Sequence, residues 1–185
     1  TGITLGTTGN AITIHNGITK NAGSGAVNFA SPRVLGAAQT WTNNSTQAIG
    51  VSGVTTLNNA GFNLAINGTG DVYFANTAGH GTAISGSGGI TMNSTGRLWL
   101  GAGDAPAHTY SGDTTLNAGV TMFSNNLSAN SNVNLNGGVL ESYWTGGLTR
   151  TLGSGANQLR ITGGESGFGM NGNNGATFSL GASAI

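Results

Sequence analysis

The sequence predicts an all-β chain that coils into a solenoid, each short strand lying on the strand one turn earlier. Three observations carry that prediction. Apolar residues alternate with Thr, Asn and Ser at period two, in runs of three to five residues, which is the pattern of short half-buried strands. Gly, Asn and Ser fill the intervals between runs, and these residues turn a chain cheaply. A unit also recurs. Asn16 to Ala30, Gly88 to Ala102 and, more weakly, Asn63 to Thr77 each read as an apolar pair, a polar Gly-bearing turn and a second apolar pair. Self-similarity with irregular spacers is the mark of a solenoid, in which each rung buries its face only against its neighbours.

Taken in order, the strand-like runs begin at Ile3–Leu5, Ala11–Ile14 and Val27–Phe29, followed by an expected turn at Ser31-Pro32-Arg33 and a run at Gln39–Thr42. The middle supplies Ala48–Val51, Val54–Leu57, Phe62–Ile66 and Val72–Phe74. The stretch from Gly88 to Trp144 adds Ile90–Met92, Leu98–Leu100, Thr114–Leu116, Val120–Phe123, Val133–Leu135 and Val139–Leu140. Leu148–Leu152, Leu159–Thr162, Phe168–Met170 and Ala176–Leu180 close the series. Asn16-Gly17, Asn67-Gly68, Asn136-Gly137 and Asn171-Gly172 follow several of these runs. Such pairs mark a two-residue hairpin or supply a left-handed residue at a solenoid corner, so a β-sandwich stands as the alternative fold. The shortness of the runs and their recurrence favour the solenoid. With roughly 20 residues per turn and ~4.7 Å per stacked strand, nine or so turns would form a rod on the order of 40 Å long.

Composition narrows the function classes. The chain has 185 residues, 35 of them Gly, 2 Pro and no Cys, with 5% charged residues and zero net charge. The recurrent Val, Ile, Leu and Thr argue for order, since disorder goes with high net charge and few β-branched residues. Absent cysteine removes disulfides and thiolate metal sites. The cations Lys20, Arg33, Arg97, Arg150 and Arg160 stand singly, whereas phosphate neutralisation needs them clustered, so nucleic acid is not an expected partner. No run reaches the ~18 apolar residues of a membrane-spanning helix. The first residues already read as a strand, so no leader is expected. Residues 1–185 are taken as one solenoid segment, a mature or excised piece of a longer exported protein.

The run from Gly96 to Asn125 then carries a resemblance. Gly96, Leu98 and Leu100 open it, Tyr110, Gly112, Thr114 and Thr115 form its middle, and Leu116, Asn117, Ala118 and Gly119 close it. This order resembles the autotransporter-associated β-strand repeat, also called the passenger-associated transport repeat. The repeat lies in the stretch from 88 to 144, and the flanks LGAAQTWTNNS and LNGGVLES are similar to surface proteins that carry it. It departs from the family pattern at Ala105-Pro106-Ala107-His108, a longer turn, and at Val120-Thr121-Met122. The resemblance implies a right-handed parallel β-helix in a bacterial extracellular or outer-surface protein. It implies no catalytic residue.

Constellations that could carry chemistry are sparse. The acids are Asp71, Asp104, Asp113, Glu141 and Glu165. A glycosidase sets two carboxylates across the bond it cleaves, and Glu141 with Glu165, near Arg150 and Arg160, is the best placed pair. The bland alternative is a set of solvated charges or a surface ion pair of little worth. His15, His80 and His108 lack spaced partners, and His108 is expected at the surface. Gly86-Ser87-Gly88-Gly89 has no following Lys for a phosphate cradle. Among Trp41, Trp99, Tyr110, Tyr143 and Trp144, most are expected to fill the interior. Trp99 is the exception, because its parity opposes Leu98 and Leu100, so it should point outward and is the one candidate contact residue. Asn117, Asn134 and Asn136 lie where stacked amides would form ladders.

These readings converge on a structural extracellular protein, a β-solenoid stalk or fibre subunit of a bacterial cell surface or biofilm matrix, with no enzymatic activity, metal or cofactor. Its expected partners are neighbouring rungs or identical subunits stacked end to end. The alternatives are an adhesin module that binds a glycan or cell-surface protein, and a polysaccharide-active β-helix enzyme.

Overall fold

The structure, a computed structural model, describes residues 2–7, 9–75, 81–101, 107–124, 127–143, 147–172 and 177–181. Within them every element is a strand, and the strands form three sheets of eight, four and nine members. Every strand pairing in the three sheets is parallel. Only an isolated bridge between Ala75 and Gly81 runs antiparallel. The fold is therefore a parallel β-solenoid, and the sandwich alternative falls, because hairpin-linked strands would pair antiparallel.

The first sheet shows how the chain coils. Ile3 lies beside Val27, Val27 beside Ile49, and Ile49 beside Val72. The column continues through Leu98, Thr121 and Leu140 to Phe168. The steps along this column are unequal. Thr121 to Leu140 is the shortest and Leu140 to Phe168 the longest, and most exceed the repeat length that the sequence suggests. Turns are therefore longer and fewer than the sequence periodicity predicts. The extra residues lie in spacers between strands, which carry no period of their own.

The corners explain the Asn-Gly pairs. Gly17, Gly68, Gly137 and Gly172 have φ of 78°, 102°, 117° and 120°, the left-handed region that glycine enters without steric penalty. At Gly68 a Cβ would also run into the Asn43 carbonyl oxygen of the turn below. These pairs are corners and not hairpins.

One expected turn is half wrong. Arg33 belongs to the strand Arg33–Leu35, so the bend is confined to Ser31 and Pro32. Pro32 has no N–H to give, and it serves the ladder through its carbonyl, which accepts from Ile12 N at 2.9 Å. That is the place a strand tolerates proline, just before its first paired residue.

The interior is a continuous apolar column. Trp41 lies inside with Phe29 and Phe74, their ring centroids 5.5 and 5.8 Å from its own. Its Nε1 donates to Gln39 Oε1 at 3.1 Å, so the indole is satisfied within the bore. Leu98, Leu100, Tyr110, Leu116, Val133, Leu135, Leu140 and Leu159 continue the core. The residues that carry the Gly96–Gly119 resemblance thus find structural places. Their Leu and Tyr side chains fill the bore, and Gly119 turns the chain with φ of 61°.

An amide ladder runs along one corner. Asn93 Nδ2 donates to Asn67 Oδ1 at 3.1 Å, Asn117 Nδ2 to Asn93 Oδ1 at 2.7 Å, and Asn136 Nδ2 to Asn117 Oδ1 at 2.9 Å. Asn117 and Asn136 therefore stack as expected, joined by Asn67 and Asn93. Asn134 does not: on the same outer face, it donates to Asp113 Oδ2 at 2.9 Å and accepts from Arg160 Nε at 3.0 Å.

Candidate functional site

Trp99 sits in the strand Arg97–Gly101 with Leu98 and Leu100 turned into the bore. Its own side chain leaves on the opposite face, as alternation requires. It is nonetheless only 7% exposed. Outside the bore it forms a second apolar cluster with Ala75 and Met122, against which Tyr73 and Tyr143 pack. Tyr73 meets the indole edge-on at 5.8 Å and Tyr143 at 5.0 Å. The expectation of an exposed contact aromatic is thereby corrected, because neighbouring turns bring two further rings against it.

Small residues make that packing possible. Tyr73, Trp99 and Met122 occupy one register column. The adjacent column on this face holds Gly101 and Ser124. A Cβ at Gly101 would collide with the indole Nε1, so the indole leans across the space that a larger residue would fill. The same-parity spacing of Trp99 and Gly101 was available in the sequence. The contribution of Ser124 was not, because it depends on the register with the strand of the following turn.

A polar belt borders the cluster. Asp71 Oδ1 accepts from the Arg97 backbone N–H at 2.8 Å, and Oδ2 accepts the Tyr73 hydroxyl. Burial first, then that hydrogen bond, push the Tyr73 phenol up to about 12, so it remains a donor at neutral pH. Arg97 Nη2 lies 3.7 Å from Glu141 Oε1, which also accepts from Asn171 Nδ2 at 3.1 Å. The belt links successive turns and leaves the Glu141 carboxylate occupied.

The corner that sequence reading assembled from Glu141, Glu165, Arg150 and Arg160 is not built that way. Glu141 takes Arg97 as its ionic partner. Arg150 turns inward and donates to the Ser131 and Ser128 carbonyls at 2.7 and 2.9 Å, while Arg160 bonds Asn134 on the outer face. Glu165 is exposed. Side-chain parity sends these groups to different faces, which nearness along the chain does not reveal.

His108 is likewise misplaced by its surroundings in sequence, for it is buried. Its Nδ1 accepts from Ile84 N–H at 3.1 Å and its Nε2 faces the Leu100 carbonyl at 3.3 Å. That pair of partners selects the Nε2–H tautomer, and burial pushes the imidazole pKa down to about 4. His15 is exposed. His80, Asp104 and Trp144 lie outside the described residues. Among the described residues no group of three His, Asp or Glu side chains gathers to hold a metal, and no helix is long and apolar enough to cross a membrane.

Comparison of the chain with protein-family models, curated proteins and solved structures finds no match.

Proposed function

We propose that this chain is a structural β-solenoid segment, a stalk or fibre element of a bacterial cell surface or extracellular matrix, whose open ends stack on further rungs. Those rungs belong to the same polypeptide or to identical subunits. One observation carries the reading. The interior column of the first sheet is sealed at Ile49, Val72, Leu98 and Leu140, yet Ile3 at one end is 57% exposed and Phe168 at the other 39%. Met170, Ile161 and Leu152 share that exposure in the last turns. Interior-facing apolar side chains left this exposed favour association, as do strand edges with one pairing partner.

Three further points support the reading. The Gly96–Gly119 run, through which the chain resembles the autotransporter-associated repeat, has a packing or turn use at its bore and corner positions. The outer aromatics pack on one another, which weakens the case for an adhesin face centred on Trp99. The occupied Glu141 carboxylate likewise weakens the case for a polysaccharide-active enzyme.

Sedimentation velocity over a wide concentration range tests the proposal. The wild type should form end-to-end species, and Phe168→Asp together with Met170→Lys should reduce them while leaving the far-ultraviolet spectrum unchanged. A wild type that stays monomeric throughout, with both end rungs protected from hydrogen exchange, overturns it. Selective glycan binding by that monomer would favour the adhesin instead.

A further inference from the structure

Asn16-Gly17, Asn67-Gly68, Asn136-Gly137 and Asn171-Gly172 each bend the chain at a left-handed glycine, and such a pair carries the means to modify itself. The glycine nitrogen attacks the asparagine Cγ, because glycine has no side chain to block the approach and the two groups are already neighbours. The N–Cγ bond forms, the Cγ–Nδ2 bond breaks, and the glycine N–H proton passes through solvent to the departing ammonia. Water then opens the five-membered imide at either carbonyl and leaves aspartate or isoaspartate. Water is the sole co-reactant, and both reacting groups must be loose enough to meet.

The structure separates the four pairs. Asn136 Nδ2 donates to Asn117 Oδ1 at 2.9 Å and the Gly137 N–H donates to Ser166 Oγ at 2.9 Å, so both reacting groups are held. Asn67 Oδ1 accepts from Asn93 at 3.1 Å, and Gly68 lies within the strand Leu64–Gly68, paired with Asn43. Asn171 Nδ2 donates to Glu141 Oε1 at 3.1 Å, and Asn171 ends the paired strand Gly167–Asn171. Asn16 differs. It is exposed and lies between the strands Ile12–Ile14 and Ile18–Lys20. Neither its side chain nor the Gly17 N–H has a hydrogen-bond partner among the described residues. A further pair, Asn174-Gly175, lies outside the described residues.

We infer that Asn16-Gly17 is a self-modification site, at which the folded protein loses ammonia and gains aspartate or isoaspartate while Asn67, Asn136 and Asn171 persist. The site leads into Ile18–Lys20, the outermost strand of the nine-stranded sheet. Isoaspartate lengthens the main chain by a carbon immediately before Gly17, where even a Cβ would collide with the Thr40 carbonyl oxygen. That corner has no slack, so Ile18–Lys20 loses its register with Trp41–Asn43.

Incubation in mildly alkaline heavy-oxygen water, followed by peptide mass spectrometry, tests the assignment. The folded wild type should take up heavy oxygen at Asn16 at least about tenfold faster than at Asn136, where two hydrogen bonds must break first. Ser166→Ala releases the Gly137 N–H and should speed the reaction at Asn136 by about fivefold, the scale of one hydrogen bond. In the isoaspartate fraction the amides of Ile18–Lys20 should exchange faster than in fresh protein. Asn16 that stays intact in the folded protein while it reacts in urea overturns the assignment, as does a rate no faster than that of Asn136. An Asn136 rate unmoved by Ser166→Ala removes the hydrogen-bond basis of the ranking, and unaltered exchange at Ile18–Lys20 overturns the loss of register.

Discussion

Asn117 Nδ2 donates to Asn93 Oδ1 at 2.7 Å across one turn of the solenoid, while Asn117 Oδ1 accepts from Asn136 at 2.9 Å. One side chain thus joins three successive turns. Both bonds connect residues brought together only by coiling, so the ladder reports the register of the whole corner.

Replacing Asn117 by Ala breaks two ladder bonds, and Asn136→Ala breaks one of those described. At about 1 kcal/mol per neutral hydrogen bond, Asn117→Ala should lose roughly twice as much stability in urea denaturation. Equal losses would show that the rungs do not act as a chain of bonds.

Thr121 occupies the interior column between Leu98 and Leu140, and its buried Oγ1 has no hydrogen-bond partner. Thr121→Val keeps the shape and removes an unsatisfied hydroxyl. It should stabilise the protein by about 1 kcal/mol. A lower urea midpoint for the variant would contradict this.

Trp99→Ala should destabilise the protein by about 3 kcal/mol, the scale of a buried aromatic truncation, although the residue lies outside the bore. Gly101→Val should do comparable damage, because its side chain must displace the indole. Thermal unfolding of the two variants checks both. A Trp99→Ala protein with unchanged stability would return Trp99 to the surface role its parity first suggested.

His108 makes stability depend on pH. The unfolded imidazole titrates near 6.5 and the native one near 4, so in that interval the unfolded state binds the proton and the native state does not. The stability associated with neutral His108 is therefore complete above pH 6.5 and eroded as pH falls toward 4. Between pH 7 and 5 the wild type should lose about 2 kcal/mol more than His108→Gln, from ~1.4 kcal/mol per pKa unit. Parallel pH profiles in urea unfolding would rule this out.

Gly68→Ala should cost at least about 2 kcal/mol, since it combines a left-handed φ with a clash against Asn43. Gly23, also left-handed at φ of 77° but with nothing near its absent side chain, is the control. Gly23→Ala should cost only the backbone strain. The difference in urea midpoint isolates the inter-turn contact.

Whatever follows from period two and from backbone sterics was legible in the residues alone. Alternation put Leu98 and Leu100 on one face and Trp99 on the other, and the Asn-Gly pairs marked left-handed bends. These are local properties, decided by a residue and its nearest neighbours in the chain. What each turn lays beside the next, the Asn67–Asn93–Asn117–Asn136 ladder included, is set by coiling, because turns of unequal length give no fixed register to read. Coiling buried Trp99 under Tyr73 and Tyr143, buried His108, gave Glu141 to Arg97, and enclosed Arg33 between Phe29 and two threonines. Whether a polar side chain is solvated or trapped depends on the rung above and the rung below, and coiling alone supplies them.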